Sequence, residues 1–94
     1  MINVESDFEW DPEKSKANLA KHGIDFESAL VLWHDKNHLE LELDYVTEDR
    51  FAVIGEIEDK IWTAIATRRG SKIRLISVRR AREYERQTYD RRRI

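Results

Sequence analysis

The chain of 94 residues has no cysteine, so neither a disulfide framework nor a thiolate metal site is open to it. No apolar run approaches the roughly 20 residues of a membrane span. The N-terminus, MINVESDFEW, is acidic and lacks the basic and apolar regions of a signal peptide, so the expectation is a cytoplasmic protein. No Gly-rich phosphate loop, no HExxH and no Ser-His-Asp pattern can be read along the chain. There is also no repeat and no low-complexity segment. The histidines, His22, His34 and His38, are scattered. The last two have the i, i+4 spacing that suits a metal on a helix, but the helix should end near His34, so both are read as polar helix-end residues. No metal and no cofactor are expected.

What remains is a single small domain over residues 1–94, 40% hydrophobic, able to build a modest core. The terminal Arg91-Arg92-Arg93-Ile94 is the one segment expected to be disordered. The net charge of −2 hides an asymmetry. Residues 1–67 carry 6 Lys/Arg against 16 Asp/Glu, a net −10, and residues 68–94 carry 11 against 3, a net +8. A basic patch of that density suits phosphate, because backbone binding depends on the local field. The same charges also fit a solvated face or two halves that neutralise each other.

The spine of the chain is Lys72 to Ala81, KIRLISVRRA. As a strand it places Ile73, Leu75 and Ser77 on one face and Arg74, Ile76 and Val78 on the other. Apolar residues on both faces predict a central strand, running without a turn into a basic helix from Arg80 to about Arg91. Before it, Phe8 and Trp10 around Glu9 predict a first strand. Asp11-Pro12 is an N-cap followed by a proline at the first helical position, and Gly23 closes that helix after His22. A second helix follows Asp25 with the stripe Phe26, Ala29, Leu30 and Trp33, the two helices pairing as an antiparallel hairpin. His34 to Asn37 is an exit turn. Leu39, Leu41 and Leu43 alternate with acids, as on an edge strand. Val46 to Asp49 is a polar turn, and Phe51 to Ile57 a strand with a bulge expected at Gly55. Glu58-Asp59-Lys60 turns into an inner strand from Ile61 to Thr67. The class is α+β, with two N-terminal helices and a C-terminal helix on a mostly antiparallel sheet of four to five strands.

Several side chains have two readings. His22, beside Lys21, is either a helix-end imidazole facing the negative dipole end or a general acid or base. Arg74 on a largely apolar strand is either paired with Glu85 or Glu56 or a clamp on phosphate. Arg69 at a turn and Arg79 at a strand end lean to function. Arg80, Arg82 and Arg86 read as a solvated or partner-facing surface. Tyr84 and Tyr89 either pack or stack on bases, with packing favoured, and Trp10, Trp33 and Trp62 belong to core or interface.

The segments FEWDPEKSKANLAKHGIDFESA and RRGSKIRLISVRRA, then Glu85-Arg86 and Tyr89, resemble the BrnT family of type II toxins over nearly the whole chain. The most specific parts are Trp10-Asp11, Lys14, Asn18, Lys21-His22-Gly23 with Phe26, and Arg74, Ile76 to Arg79 and Ala81. The middle, Leu39 to Asp59, matches in pattern only. The resemblance implies a fold similar to RelE-like ribonucleases and a metal-free cleavage of RNA that halts translation and growth. It implies a BrnA-like ribbon-helix-helix antitoxin that binds operator DNA, the toxin reaching DNA only through that complex, with a toxin dimer inside a hetero-oligomer. On this resemblance Lys21, His22, Arg69, Arg74 and Arg79 are the expected catalytic set, and Arg68, Arg80, Arg82 and Arg86 the expected RNA contacts. The competing expectation is a basic-faced module, or an inactive toxin homologue, that only binds nucleic acid or its antitoxin.

Overall fold

A computed structural model describes residues 3–5, 7–43 and 49–92. Among the described residues six strands form one sheet: β1 (Asn3–Glu5), β2 (Phe8–Trp10), β3 (Leu39–Glu42), β4 (Arg50–Ile57), β5 (Lys60–Arg69) and β6 (Lys72–Arg80). Their spatial order is β1-β2-β6-β5-β4-β3. Only the β2–β6 pair is parallel; the rest are antiparallel. Three helices, α1 (Pro12–His22), α2 (Phe26–Ala29) and α3 (Glu83–Arg92), complete an α+β fold. The class, the helix count and the antiparallel bias are as the sequence indicates. The sheet gains one strand, β1, at its edge.

The N-terminal helices follow from their caps. Asp11 accepts the Glu13 N–H at 2.9 Å, and Gly23 sits at φ 83°, its N–H donating to the Leu19 carbonyl. Asp25 caps α2 by accepting from Ser28 N–H at 2.8 Å. The second helix is shorter than the stripe suggests. After Ala29 the chain tightens into a 3₁₀ segment, Leu30–His34. That turns Leu32 fully inward, whereas Trp33 stays half-buried with its ring edge on Phe8. Asn18 fastens α1 to the sheet. Its amide donates to the Ile24 and Val78 carbonyls and accepts from the Val78 N–H, at 2.8, 2.9 and 3.1 Å.

Two details of the central strand differ from the alternation expected of it. The bulge is not at Gly55, where the β4–β5 register runs unbroken, but in β6: Ser77 pairs Ile65 and Leu75 pairs Ala66, leaving Ile76 extra. The extra residue resets the alternation, so Leu75 and Val78 fall on the same side, in the core beneath α1 and α2. Gly55 has a steric role instead. A Cβ there would lie 3.1 Å from Leu32 Cδ2 and 3.4 Å from Asp35 Oδ2. Nor does β6 run directly into the helix: Ala81 and Arg82 separate them.

The sheet therefore has two unlike faces. One carries α1, α2 and the main core of Trp10, Phe26, Leu32, Phe51, Val53, Trp62, Ala64, Leu75 and Val78. The other carries α3 over a smaller cluster of Leu39, Ile54, Ile61 and Tyr89. Asp35 joins these parts, its carboxylate accepting from the Glu56 N–H, the Asn37 N–H and the Tyr89 hydroxyl. Burial opposes its ionisation, but those hydrogen bonds outweigh it and hold the Asp35 carboxyl below the usual range. Helix α3 takes in Arg91 and Arg92, and Arg92 Nε donates to the His38 carbonyl at 3.1 Å; the rest of the terminal segment, 93–94, and the turn at 46–48 lie outside the described residues.

Candidate active site and basic sheet face

The stop at Gly23 leaves His22 half-buried at the rim of an open groove of about 680 Å³. The opposite wall is the β4–β5 hairpin with the end of β6, contributing Ile57, Glu58, Lys60, Trp62 and Arg80. Trp62 and Arg80 are cross-strand partners, and the Arg80 guanidinium lies 5.5 Å from the Trp62 ring centroid. A cation over an indole is held in place without being neutralised. Arg80 makes no ion pair among the described residues. The hairpin turn is Glu58-Asp59, both with positive φ, 50° and 69°. That geometry matches the right-handed twist of the strands but normally selects Asn or Gly. Glu58, in this strained turn, lines the groove. An imidazole, a carboxylate, an ammonium and an unpaired guanidinium thus share one cleft.

The arginines of the α3 face have a different character. Arg79 donates through both terminal nitrogens to Glu85, at 2.9 and 3.0 Å. Glu85 is only 2% exposed, and it also accepts from Thr63 Oγ1 and from the Arg82 N–H. Its position three residues after Arg82 makes it the glutamate of a capping box at the start of α3. Burial works against the Glu85 carboxylate, yet the donors from Arg79, Arg82 and Thr63 outweigh it and hold its pKa below the ordinary value. The same hydrogen bond to Glu85 raises Arg79. Arg74 pairs with Glu9 at 3.3 Å, not with Glu85 or Glu56; Glu9 is its cross-strand neighbour on β2. Arg69 is exposed beside the β5–β6 turn.

The remaining expected contacts are distributed around the fold. Arg68 is engaged by Glu40 and Glu42 and stacks 4.1 Å from the Phe51 ring centroid; the hydrogen bond to Glu42 raises its pKa. Lys21 is exposed in the last turn of α1. Arg82 lies exposed in the link before α3, and Arg86 exposed on α3. The structure brings His22 and Arg80 together. Arg69, Arg74 and Arg79 share the α3 face of the sheet, on the far side from His22. Sequence reasoning missed Glu58, Lys60 and Trp62 as partners of His22. A hairpin at Glu58-Asp59 with register Ile57↔Lys60 was readable, but which helix end it meets was not.

A small α+β domain with an acidic helical half, a basic sheet-and-helix third and a polar groove at their junction is the class that fold and site define. The chain belongs to the family described as the ribonuclease toxin BrnT of type II toxin–antitoxin systems, whose model matches residues 10–85. That span runs from Trp10, at the base of α1, to the buried Glu85, and takes in His22, Arg74, Arg79 and Arg80. No curated protein matches the chain. Membership makes an antitoxin its expected class of partner. No helix among the described residues is long and apolar enough to cross a membrane.

Proposed function

We propose that this protein is a metal-independent endoribonuclease that cleaves RNA, inhibits translation and growth in the cytoplasm, and is neutralised by a BrnA-like ribbon-helix-helix antitoxin. The observation that carries the reading is the groove lined by both His22 and Arg80. The reaction is attack of a ribose 2′-hydroxyl on the adjacent phosphorus. The P–O5′ bond breaks, leaving a 2′,3′-cyclic phosphate and a 5′-hydroxyl. It requires a base for the 2′-hydroxyl proton, cations on the phosphorane oxygens and an acid for the leaving O5′. His22 and Glu58 are the proton carriers and Arg80 with Lys60 the cationic side of the groove. Lys21, Arg82 and Arg86, exposed outside the groove lining, supply further contacts to the RNA backbone. Arg79, expected from sequence to act on the phosphate, is assigned instead to holding Glu85 and the start of α3.

The test is incubation of the purified protein with RNA in the presence of a chelator, with analysis of the product ends. Cyclic phosphate ends are expected, with a histidine-dependent limb in the pH–rate profile that is absent in His22→Gln. Arg80→Ala should lower the cleavage rate by about 10²–10³, the usual loss when one transition-state contact is removed. An unchanged pH profile in His22→Gln removes His22 from the mechanism, and no cleavage at all leaves the protein a binding module.

A further inference from the structure

Three half-buried arginines lie on the α3 face of the sheet: Arg50, Arg74 and Arg79. Glu9 holds Arg74 and Glu85 holds Arg79. Among the described residues Arg50 has no carboxylate partner, and its Nε is enclosed without a hydrogen-bond partner. An enclosed N–H without a partner is costly, and water or an anion from outside the fold can satisfy it. The position is not accidental slack. Asp49, just before it, has φ 64°, and its carbonyl accepts from both the Arg68 N–H and Thr67 Oγ1 at 3.2 Å. The Arg50 carbonyl accepts the Leu43 N–H at 2.8 Å. The backbone around the orphan is thus fixed from three sides.

Register sets its neighbours. Arg50 pairs Thr67, Thr67 pairs Arg74, and Arg74 pairs Glu9, a straight row across four strands. Two strand spacings separate Arg50 from Arg74, about 10 Å between Cα atoms. Arg69, two residues beyond Thr67 on β5, shares the face. Among the described residues of this face, three guanidiniums meet the Glu9 carboxylate at this end of the sheet, and the contacts of α3, Tyr89 on Ile54 and Ile61 and Glu85 on Thr63, lie toward the other end.

We infer that Arg50, with Arg74 across Thr67, is a phosphodiester-binding site for the nucleic-acid backbone, separate from the His22 groove. The ligand class rests on the ribonuclease reading; the orphaned guanidinium does not. A planar guanidinium fork fits two phosphate oxygens. An acidic protein segment offers the same oxygens, but the substrate of a ribonuclease carries them at every nucleotide.

The experiment is fluorescence anisotropy of the full chain with a short single-stranded 2′-deoxy oligonucleotide, which lacks the attacking hydroxyl, titrated at several salt concentrations. Arg50→Gln should weaken binding about tenfold and lower the salt slope by about one, as loss of one phosphate contact does. Arg50→Lys should keep the slope. Because the probe cannot be cut, a parent protein that binds in this Arg50-dependent way yet cleaves no RNA would sustain the inference while sinking the ribonuclease reading. Binding by Arg50→Gln within twofold of the parent would overturn the inference. So would a loss confined to binding of the cognate antitoxin, which would assign the site to a protein partner.

Discussion

The two ends of one sheet face hold arginines in opposite conditions. At the α3 end, Arg79 lies against a buried glutamate that also holds a threonine and the first turn of the helix. At the open end, on Thr67, four residues and about 13 Å along β5 at the usual strand rise, Arg50 has a fixed backbone and no partner among the described residues. Both are half-buried, both are on strands, and both look alike in sequence. The difference lies in what each charge does: the first is part of the fold, and the second is left for something outside it. A basic count of +8 in the last 27 residues therefore overstates what is free to meet a ligand, since Arg68, Arg74 and Arg79 already face carboxylates.

The largest expected effect tests the closed end. Arg79→Ala leaves Glu85 buried and unpaired, which should cost about 3–5 kcal/mol, lowering the urea midpoint and fraying α3. Replacing Arg79 and Glu85 together by apolar residues of similar volume should recover most of that loss. Should the single variant prove as stable as the parent, the closed end is not closed.

A smaller effect comes from pH. Glu85 and Asp35 both have folded pKa values below their unfolded ones. Their contribution is therefore present above the unfolded values and is lost as pH falls through the folded ones. Stability should decline below about pH 4.5, the ordinary glutamate value, and Glu85→Gln should flatten that decline in urea titrations across the acid range. A parent curve flat to the acid limit would mean these carboxylates are not held as described.

Arg74→Gln tests an arginine that lies at the open end, across Thr67 from Arg50, but has a carboxylate partner. Its pair with Glu9 is only partly withdrawn from water, with side chains 22% and 17% exposed, so about 1 kcal/mol is expected from the same titration. A cost equal to that of Arg79→Ala would place Arg74 with the closed end.

The sequence made the frame readable. Asp11-Pro12 and Gly23 bound α1, the alternating leucines mark the edge strand, and the apolar run Ile61 to Ala66 marks an inner one. It did not show where those elements meet. The bulge at Ile76 depends on the pairing with Ile65 and Ala66, and no Gly or Pro announces it. The shortening of α2 depends on Leu32 fitting beside Gly55, a contact across 23 positions of chain. Glu85 was legible as a helix residue, but its burial follows from Thr63 and Arg79 converging from two strands. The same limit applies to the site. His22 was picked out by its place after Lys21 and before Gly23, whereas Glu58 and Lys60 become its neighbours only through the fold. Arg50 carried no signal at all, as a lone arginine in an acidic stretch. What distinguishes it is the lack of a partner, which only tertiary structure can define.

Equilibrium urea unfolding of Arg50→Gln beside Arg79→Ala tests the division of this face most directly. Removing a guanidinium that has no partner should change stability by less than about 0.5 kcal/mol, the range of substitutions that break no named interaction, or raise it, while Arg79→Ala loses several times as much. Equal losses in the two variants would contradict the account, because they would make Arg50 as much a part of the fold as Arg79.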